Sequence, residues 1–502
     1  MTTVTAEPSA RRATIWLFIL CNAFFFLTSS GRVRVTDEVM AVFQTESLVH
    51  RGSTAVPQAV EARIYYGKYD RKGQPQSANS PAQAVLAIPW YLAGRHLVLR
   101  LPGIPAAAHN LVTDFTIVAS NATFSAAIVA LSFYIWILAG IRLPAALAAA
   151  AVVALATPVF CYSAWFFSEP LGGASLLAAI VALLPPDEHG PLSLARRTAG
   201  ALALGIALWI RPTYLVFVFL VLAALALRKS QNDRWRSVIA VAAIVGLFGL
   251  AILARNAELY GNAFDFGYPA TAEGGKRLNS FETPFLTGLA AFLLSPGKSI
   301  FLFAPPVLAA LWAIPRLWRK NRGLGFLAIS VPLMSIVLYS KYSQFEGGYS
   351  FGPRYMFVAI VTLCLGVGFV TNEGPKPLRA LLIVLFALGL TVNLIGLATS
   401  PLEDMASGKY YDQNFNYRLD YNPLGGQGSL LIRYLTDDRP APIGRGWDRW
   451  FVFLHKGGVQ TGTLLLIAAL PAVLLVIAAW KIGALLRHST VSPTGYSAES
   501  GK

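Results

Sequence analysis

Charged residues are scarce in this chain of 502 residues: Asp, Glu, Lys and Arg together make up only 13%. That share is about half of what a soluble protein usually carries, while hydrophobic residues reach 55%. A soluble fold of this length cannot bury so much apolar surface, so the excess must face lipid. The same balance excludes a disordered chain and a nucleic-acid-binding globule, so no nucleic-acid partner is expected.

Cysteine is nearly absent as well. The three cysteines, Cys21, Cys161 and Cys364, all lie within apolar runs, which excludes a disulfide framework and a cysteine-rich metal site. The six histidines form no HExxH motif, and no P-loop, GxGxxG or GxSxG segment stands in a suitable context. The sequence also lacks an internal repeat and a Gly/Ser-rich linker. The sequence therefore lacks the common signatures of soluble enzymes.

Long apolar runs are what the chain has instead. Runs of about 20 apolar residues predict membrane-spanning helices, and we predict an all-α polytopic membrane protein with about 12 of them. The predicted spans are 13–30, 110–138, 144–162, 169–184, 198–210, 213–227, 237–254, 299–315, 324–340, 355–371, 377–399 and 462–486. A further run, 84–101, is interrupted by Pro89 and by basic residues.

Charge bias predicts the orientation of these spans. If 84–101 does not cross, Arg and Lys concentrate in the short loops of one face, and both termini lie on that face. This is the positive-inside pattern, which makes the face cytoplasmic. A crossing at 84–101 would invert the pattern, so we predict that it lies at the outer interface as an amphipathic helix. Residues 424–434 are a second candidate interfacial helix, and 285–294 are expected to lie flat or to re-enter the membrane.

This topology also divides the chain into parts. The predicted parts are a cytoplasmic N-terminus 1–12, a transmembrane core 13–399 with outer loops 31–109, 255–298 and 341–354, a late outer loop 400–461, a last transmembrane helix 462–486 and a cytoplasmic tail 487–502. The cytoplasmic loops are all short, whereas the outer segments hold most of the polar residues. We therefore predict that the chemistry of this protein takes place at the outer face.

Three acidic residues lie at the predicted outer boundary of the membrane. Asp37 and Glu38 follow the first span by a few residues, and Glu169 begins the fourth. A carboxylate in this position can take a proton from an incoming hydroxyl or hold a divalent metal ion. Simpler interpretations stay open, because Arg32 and Arg34 can neutralise the pair in a solvated loop and Glu169 can act as a helix cap.

Isolated cations and aromatic residues lie near the same boundary. Guanidinium groups bind phosphate in a bidentate manner, so such cations suit a phosphorylated lipid carrier. Attraction to anionic head groups is the alternative, and it needs no pocket. The candidate phosphate-binding residues are Arg211, Arg255, Lys298 and Arg354. The candidate substrate-binding residues are His50, Tyr349 and Tyr355, although aromatic residues also form interfacial belts.

The layout of the chain resembles that of the GT-C membrane glycosyltransferases. Within them it is most similar to the branch with the protein O-mannosyltransferases and the bacterial aminoarabinose transferase. Asp37 and Glu38 match the Asp-Glu pair that opens the first outer loop, and Arg354 with Tyr355 matches an Arg-Tyr pair at the start of a late span. Glu169 stands where the family more usually has Asp.

The resemblance implies transfer of a sugar from a polyprenyl-phosphate donor to a lipid, glycan or protein acceptor, with inversion, at the outer face of a bacterial inner membrane. Asp37 would then be the general base, and Glu38 and Glu169 would orient the acceptor or the sugar. Arg354 and Arg211 would stabilise the leaving lipid phosphate. No metal or other cofactor is required, although a divalent ion at Asp37 and Glu38 stays open.

Two other functions remain as alternatives. A transporter or flippase of a lipid-linked sugar predicts charged residues deep in the spans and two related halves, whereas these spans are almost free of charge. A non-enzymatic partner in envelope polysaccharide assembly predicts that no single acid or arginine is essential.

Overall fold

The computed structural model describes residues 6–185, 191–228, 231–269, 280–400, 402–404, 422–436, 447 and 449–491. Within these ranges the regular secondary structure is helical, apart from one short antiparallel hairpin. The predicted helical class is therefore confirmed. A helix satisfies its own backbone hydrogen bonds, which is why apolar runs rich in Leu and Ala adopt it in lipid.

The first part of the chain contains a membrane helix followed by a folded loop, which the sequence predicts to be the first outer loop. Its elements are α1 (Ala6–Leu27), α2 (Thr36–Arg51), α3 (Pro57–Glu61), β1 (Gly67–Tyr69), β2 (Pro75–Ser77), α4 (Ala82–Arg100), α5 (His109–Val118) and α6 (Ser120–Leu138). The two strands pair so that Gly67 lies opposite Ser77. Helix α1 packs against α6, and α4 packs against both α2 and α5. This first loop is thus a packed layer rather than an extended connection.

The middle of the chain, as far as the structure describes it, holds five shorter helices and one long helix. They are α7 (Leu143–Leu155), α8 (Pro158–Tyr162), α9 (Glu169–Leu183), α10 (Leu194–Ile210), α11 (Leu215–Ala226) and α12 (Gln231–Tyr260). The predicted span 144–162 is divided between α7 and α8. Thr157 caps the second piece by accepting a hydrogen bond from the amide of Val159, and Pro158 lacks the amide that would continue α7.

The last part of the chain combines broken and continuous helices. They are α13 (Phe285–Leu294), α14 (Ile300–Phe303), α15 (Pro306–Ala310), α16 (Ile314–Lys320), α17 (Arg322–Ser340), α18 (Phe357–Cys364), α19 (Val367–Glu373), α20 (Lys376–Ala398), α21 (Pro423–Thr436), α22 (Trp450–Lys456) and α23 (Thr461–Val491). The prediction of one continuous helix over 299–315 is wrong. Pro305 and Pro306 both lack an amide donor, so the run breaks between α14 and α15, and a 3-10 turn at Leu311–Ala313 separates α15 from α16.

Among the described residues, seven helical segments are long and apolar enough to cross a membrane. They are Ala10–Leu27, Ala106–Leu138, Asp233–Tyr260, Arg322–Ser340, Arg354–Glu373, Lys376–Ala398 and Thr461–Arg487. Shorter apolar helices at Leu143–Leu155, Glu169–Leu183, Pro212–Ala226 and Phe285–Leu294 accompany them. The chain is an integral membrane protein by these features, while the number of about 12 spans stays a prediction.

Both candidate interfacial segments are helical: 84–101 lies within α4 apart from its last residue, and 424–434 lies within α21. The late loop also returns to the first helix. The indole of Trp450 donates a hydrogen bond to the carbonyl of Leu27 over 3.1 Å and stacks on Phe115 with ring centroids 4.8 Å apart. The placement of α4 and α21 at a membrane surface stays a prediction, as does the orientation of α13.

Candidate active site

A cavity of about 330 Å³ opens where several segments meet. Among these segments are the start of α2, the turn before α9, the hinge between α10 and α11, and the loop that leads to α18. Its wall combines a few charged groups with many aromatic rings. The charged and aromatic lining residues are Asp37, Tyr66, Phe166, Phe167, Arg211, Phe266, Tyr268, Phe281, Tyr339, Tyr342, Tyr349, Arg354 and Tyr355.

Asp37 reaches this wall from the first turn of α2. Acidic residues are favoured there because the exposed amides of a helix N-terminus attract negative charge. One carboxylate oxygen, Oδ2, accepts a hydrogen bond from Nη1 of Arg354 over 2.6 Å. The side chain keeps 32% of its surface exposed. Asn79 holds the backbone by donating to the carbonyl oxygen of Asp37 over 2.9 Å, so the carboxylate is fixed yet accessible.

Glu169 lies beneath the wall at the first residue of α9, with a side chain only 3% exposed. Its Oε1 atom accepts hydrogen bonds from Nε of Arg354 over 2.8 Å and pairs with Nη2 of Arg211 over 2.7 Å. With the contact between Arg354 and Asp37, these pairs form a continuous chain of four charges. We name this chain the charge relay; it is Asp37, Arg354, Glu169 and Arg211 in that order.

Both arginines of the charge relay lie over aromatic rings. The guanidinium carbon of Arg354 is 3.9 Å from the ring centre of Phe167, and that of Arg211 is 5.2 Å from the ring centre of Tyr355. Arg211 adopts an extended backbone and ends α10, because Pro212 after it disfavours helical geometry. The rings orient the planar guanidinium groups and replace part of their lost hydration.

A cluster of tyrosines forms the part of the wall next to the two arginines. Tyr355 stacks on Tyr339 with centroids 4.7 Å apart and ring planes at 6°, and the edge of Tyr342 meets Tyr355 at 5.6 Å. The hydroxyl of Tyr339 lies 3.1 Å from that of Thr213. Burial raises the pKa of Tyr268, which keeps its hydroxyl protonated as a hydrogen-bond donor. Flat apolar faces with a few polar groups are typical of ligand pockets.

Glu38 does not line the cavity, although the sequence predicts it beside Asp37 in the site. Its side chain is completely buried; Oε2 accepts from the amide of Arg34 over 2.6 Å and Oε1 from the amide of Phe166 over 2.8 Å. Burial raises the pKa of this carboxyl, and Arg34 opposes the rise. Glu38 therefore connects the first loop to the turn before α9.

Other side chains hold the same turn in place. Arg34 donates to the carbonyl of Ala164 over 2.9 Å, and Gln83 donates to that of Phe166 over 3.0 Å. Asn121 donates to the carbonyl of Phe167 over 2.7 Å. The turn is thus anchored to α4 and α6 as well as to the first loop, and this anchoring fixes both Phe167 and Glu169.

Lys298 is also predicted to bind phosphate, but it is buried below the loop that leads to Arg354 and does not line the cavity. Its ammonium group donates to the carbonyls of Ser350 and Gly352, each over 3.1 Å. Burial lowers the pKa of Lys298 to about 7, although the charge of Glu346 opposes this. The loop needs φ of +65° at Gly352, a conformation that favours glycine.

The remaining predicted residues divide between the cavity and its surroundings. Tyr349 and Tyr355 line the cavity. Arg255 lines a smaller adjoining chamber of about 30 Å³ and lies 3.4 Å from the hydroxyl of Thr54. His50 lies outside both spaces, and its Nε2 atom is 2.7 Å from the hydroxyl of Tyr91.

Most lining residues escape the sequence-based prediction of the site, among them Asn79, Gln83 and Tyr339. Asn79 and Gln83 flank the start of α4, where their polarity fits any loop. Tyr339 lies at the end of an apolar run, where an aromatic residue is expected at a membrane interface. Their only sequence signal is this position near the outer boundary, which many other residues share.

A divalent ion at Asp37 and Glu38 finds little support in this geometry. Both oxygens of Glu38 accept hydrogen bonds from backbone amides, while Asp37 faces the cavity. The described residues contain no group of three or more His, Cys, Asp and Glu side chains that could hold a metal. The pair as it stands does not provide the ligand set of a hard cation, and the ion stays a prediction.

The fold is similar to that of a GT-C membrane glycosyltransferase. The particular match is ArnT, an aminoarabinose transferase, from Cupriavidus metallidurans. Its apo crystal structure matches with a TM-score of 0.50 and 16% sequence identity over 95% of this chain and 77% of that one. ArnT bound to undecaprenyl phosphate matches with a TM-score of 0.45 and 14% identity over 98% and 78%. No family model and no curated protein matches the sequence.

Proposed function

We propose that this protein is a membrane glycosyltransferase that transfers a sugar from a polyprenyl-phosphate donor to an acceptor at the outer face of a bacterial inner membrane. The observation that carries the proposal is the charge relay. It places one accessible carboxylate next to a guanidinium group at the wall of an aromatic cavity. Sugar transfer from a lipid phosphate needs both groups: a base for the acceptor and a cation for the leaving phosphate.

The reaction assigns a different task to each part of the cavity. Asp37 takes the proton of an acceptor hydroxyl, whose oxygen attacks the anomeric carbon of the sugar. The bond between that carbon and the lipid phosphate breaks, and its electron pair stays on the phosphate. Arg354 stabilises the growing charge, with Arg211 next to it across Glu169. The stacked rings of Tyr339 and Tyr355 offer a flat face to the sugar.

Glu169 orients the two arginines in this scheme. A guanidinium group has five donors in a fixed plane, so binding one edge to Glu169 determines where the others point. The aromatic wall makes the surroundings of these groups less polar than water, and each electrostatic contact is stronger for it. The acceptor is a lipid, a glycan or a protein with a free hydroxyl or an equivalent nucleophile.

The decisive experiment uses the purified chain in nanodiscs with a panel of radiolabelled polyprenyl-phosphate sugars and membrane extract as acceptor. We expect turnover of one donor by the wild type, and a loss of about 10²- to 10⁴-fold in Asp37→Asn, which is the usual contribution of a general base. Glu169→Gln and Arg354→Ala should also be impaired. Glu61→Gln is the matched control, because Glu61 is an exposed acid of the same outer loop outside the cavity.

Each result has a definite meaning. Donor binding without turnover across the whole panel would favour a flippase or transporter of the lipid-linked sugar. Turnover that survives in Asp37→Asn would exclude Asp37 as the base. No donor binding at all would leave a non-enzymatic role in polysaccharide assembly.

A further inference from the structure

The four charges of the charge relay cancel one another. Arg354 and Arg211 contribute two positive charges, and Asp37 and Glu169 contribute two negative ones. The two acids differ in how firmly they are held. Glu169 is 3% exposed and binds both arginines, whereas Asp37 is 32% exposed and pairs with Arg354 alone. Asp37 is therefore the residue whose side chain can move away without leaving a buried charge unpaired.

An anionic ligand meets this neutral arrangement when it enters the cavity. Nη1 of Arg354, which the ligand needs, is already occupied by Asp37 at 2.6 Å. A phosphate placed beside an intact pair would lie next to the carboxylate at close range, and like charges in a partly dry site repel strongly. A phosphate that replaces the carboxylate avoids that repulsion and gains a charge-assisted hydrogen bond.

We propose that the phosphate of the donor displaces Asp37 from Arg354, so that donor binding itself releases the carboxylate that deprotonates the acceptor. The inference rests on the proposed function and deepens it, because it assigns Asp37 a second role as a competitor for the phosphate position. It also sets an order: the donor binds first, and only then is Asp37 free for the acceptor.

The charges balance through the whole cycle. With a phosphodiester donor in place, the charge relay and donor together carry one negative charge. During transfer Asp37 gains the acceptor proton and loses its charge, while the leaving phosphate gains the electron pair of the broken bond and one negative charge. The total in the cavity is unchanged, so no net charge has to develop in a site of low polarity. Asp37 regains its place on Arg354 after it returns the proton to water.

The experiment measures binding of undecaprenyl phosphate, which needs no turnover. We expect Asp37→Asn in nanodiscs to bind this lipid about tenfold more tightly than the wild type does, because the competing charge is gone and close charge pairs contribute on this scale. Asp37→Glu keeps the negative charge and should show no such gain. Glu61→Gln is the control for an acid of the same loop that lies outside the cavity.

The outcomes separate this inference from the function on which it rests. Tighter binding by Asp37→Asn, together with its loss of transfer, supports the displacement, because general damage to the site would weaken both. Equal or weaker binding by a variant that melts at the wild-type temperature overturns the displacement but leaves the transferase intact. If wild type and variants bind undecaprenyl phosphate no better than a zwitterionic lipid, the proposed function fails as well.

Discussion

At the scale of the residue, Glu169 shows how one carboxylate organises a site. Its Oε1 atom receives a donor from each of two arginines, and its Oε2 atom has no hydrogen-bond partner among the described residues. A buried oxygen without a partner costs stability. The arrangement persists because removal of the acid would leave two guanidinium groups close together in a buried place, which costs more.

Lys298 gives a prediction about pH. Burial lowers its pKa to about 7, whereas the same ammonium group in the unfolded chain titrates near about 10.4. Between these values the unfolded chain binds more protons than the folded one, so the free energy of unfolding rises with pH. We expect the thermal unfolding temperature of the purified protein to rise from about pH 7 to about pH 9, and Lys298→Met to lose this part of the rise.

The control is Lys320→Met, which removes an exposed lysine at the end of α16 and should keep the wild-type dependence on pH. An unchanged dependence in Lys298→Met would mean that Lys298 keeps its charge in the folded protein across this range. It would then hold the carbonyls of Ser350 and Gly352 as a full cation.

At the scale of the element, the contact between α20 and the break in the α7–α8 segment depends on a glycine. A Cβ atom at Gly389 would lie 2.3 Å from the carbonyl oxygen of Ala156, and a backbone atom cannot move aside easily. We expect Gly389→Ala to lower the free energy of unfolding by about 1–3 kcal/mol, the usual cost of overpacking. Chemical or thermal unfolding in detergent measures it.

Gly246→Ala provides the comparison for that variant. Gly246 lies on the exposed side of α12 with nothing within 4 Å of the added carbon, so the same change should stabilise the helix by up to about 1 kcal/mol through propensity. Equal effects of the two substitutions would contradict the close approach of α20 to Ala156.

The sequence predicts a helix well where a single property, such as the length of an apolar run, determines it. Helices such as α12, α17 and α20 follow from the length of an apolar run, because lipid leaves the backbone few alternatives. The run over 299–315 fails for a local reason, since Pro305 and Pro306 outweigh its hydrophobicity. That signal was present in the sequence, whereas nothing there revealed how the pieces α14 to α16 pack.

The candidate site, too, could be predicted from the sequence only in part. Position near the outer boundary was enough to select Asp37, Glu169, Arg211 and Arg354 as candidates. Their pairing was not predictable, because Asp37 and Arg354 are 317 residues apart and meet only through the packing of several helices. Glu38 was expected to orient the acceptor or the sugar because it forms, with Asp37, the Asp-Glu pair that resembles the GT-C family, although an acid in the third position of a helix commonly binds back to amides at its start.

At the scale of the whole molecule, the three cysteines permit a direct test of sidedness. Cys21, Cys161 and Cys364 are all buried, so they should react little with a membrane-impermeant maleimide. We expect Lys72→Cys, in the exposed turn of the hairpin, to be labelled in intact cells. Lys320→Cys should be labelled only after the membrane is permeabilised, since we predict its loop to be cytoplasmic.

The opposite labelling pattern would invert the topology and place the cavity on the cytoplasmic side. If both positions were labelled in intact cells, Lys72 and Lys320 would lie on the same side of the membrane, and the predicted topology would be wrong. The cysteine-containing wild type, labelled under the same conditions, gives the background for both variants.

The contacts of the Glu169 carboxylate with two arginines also predict how mutations at these positions combine. A mutation that removes Glu169 leaves Arg211 and Arg354 without their common partner. The resulting loss of stability should be relieved by a second mutation that removes or neutralises one of the two arginines. We therefore expect positions 169, 211 and 354 to be coupled in folding stability, so that loss of an arginine offsets the loss of Glu169, whereas transfer of the sugar still requires Arg354. Asp37 contacts only one of these three residues, so its identity depends less on them and can be selected for its role in the reaction.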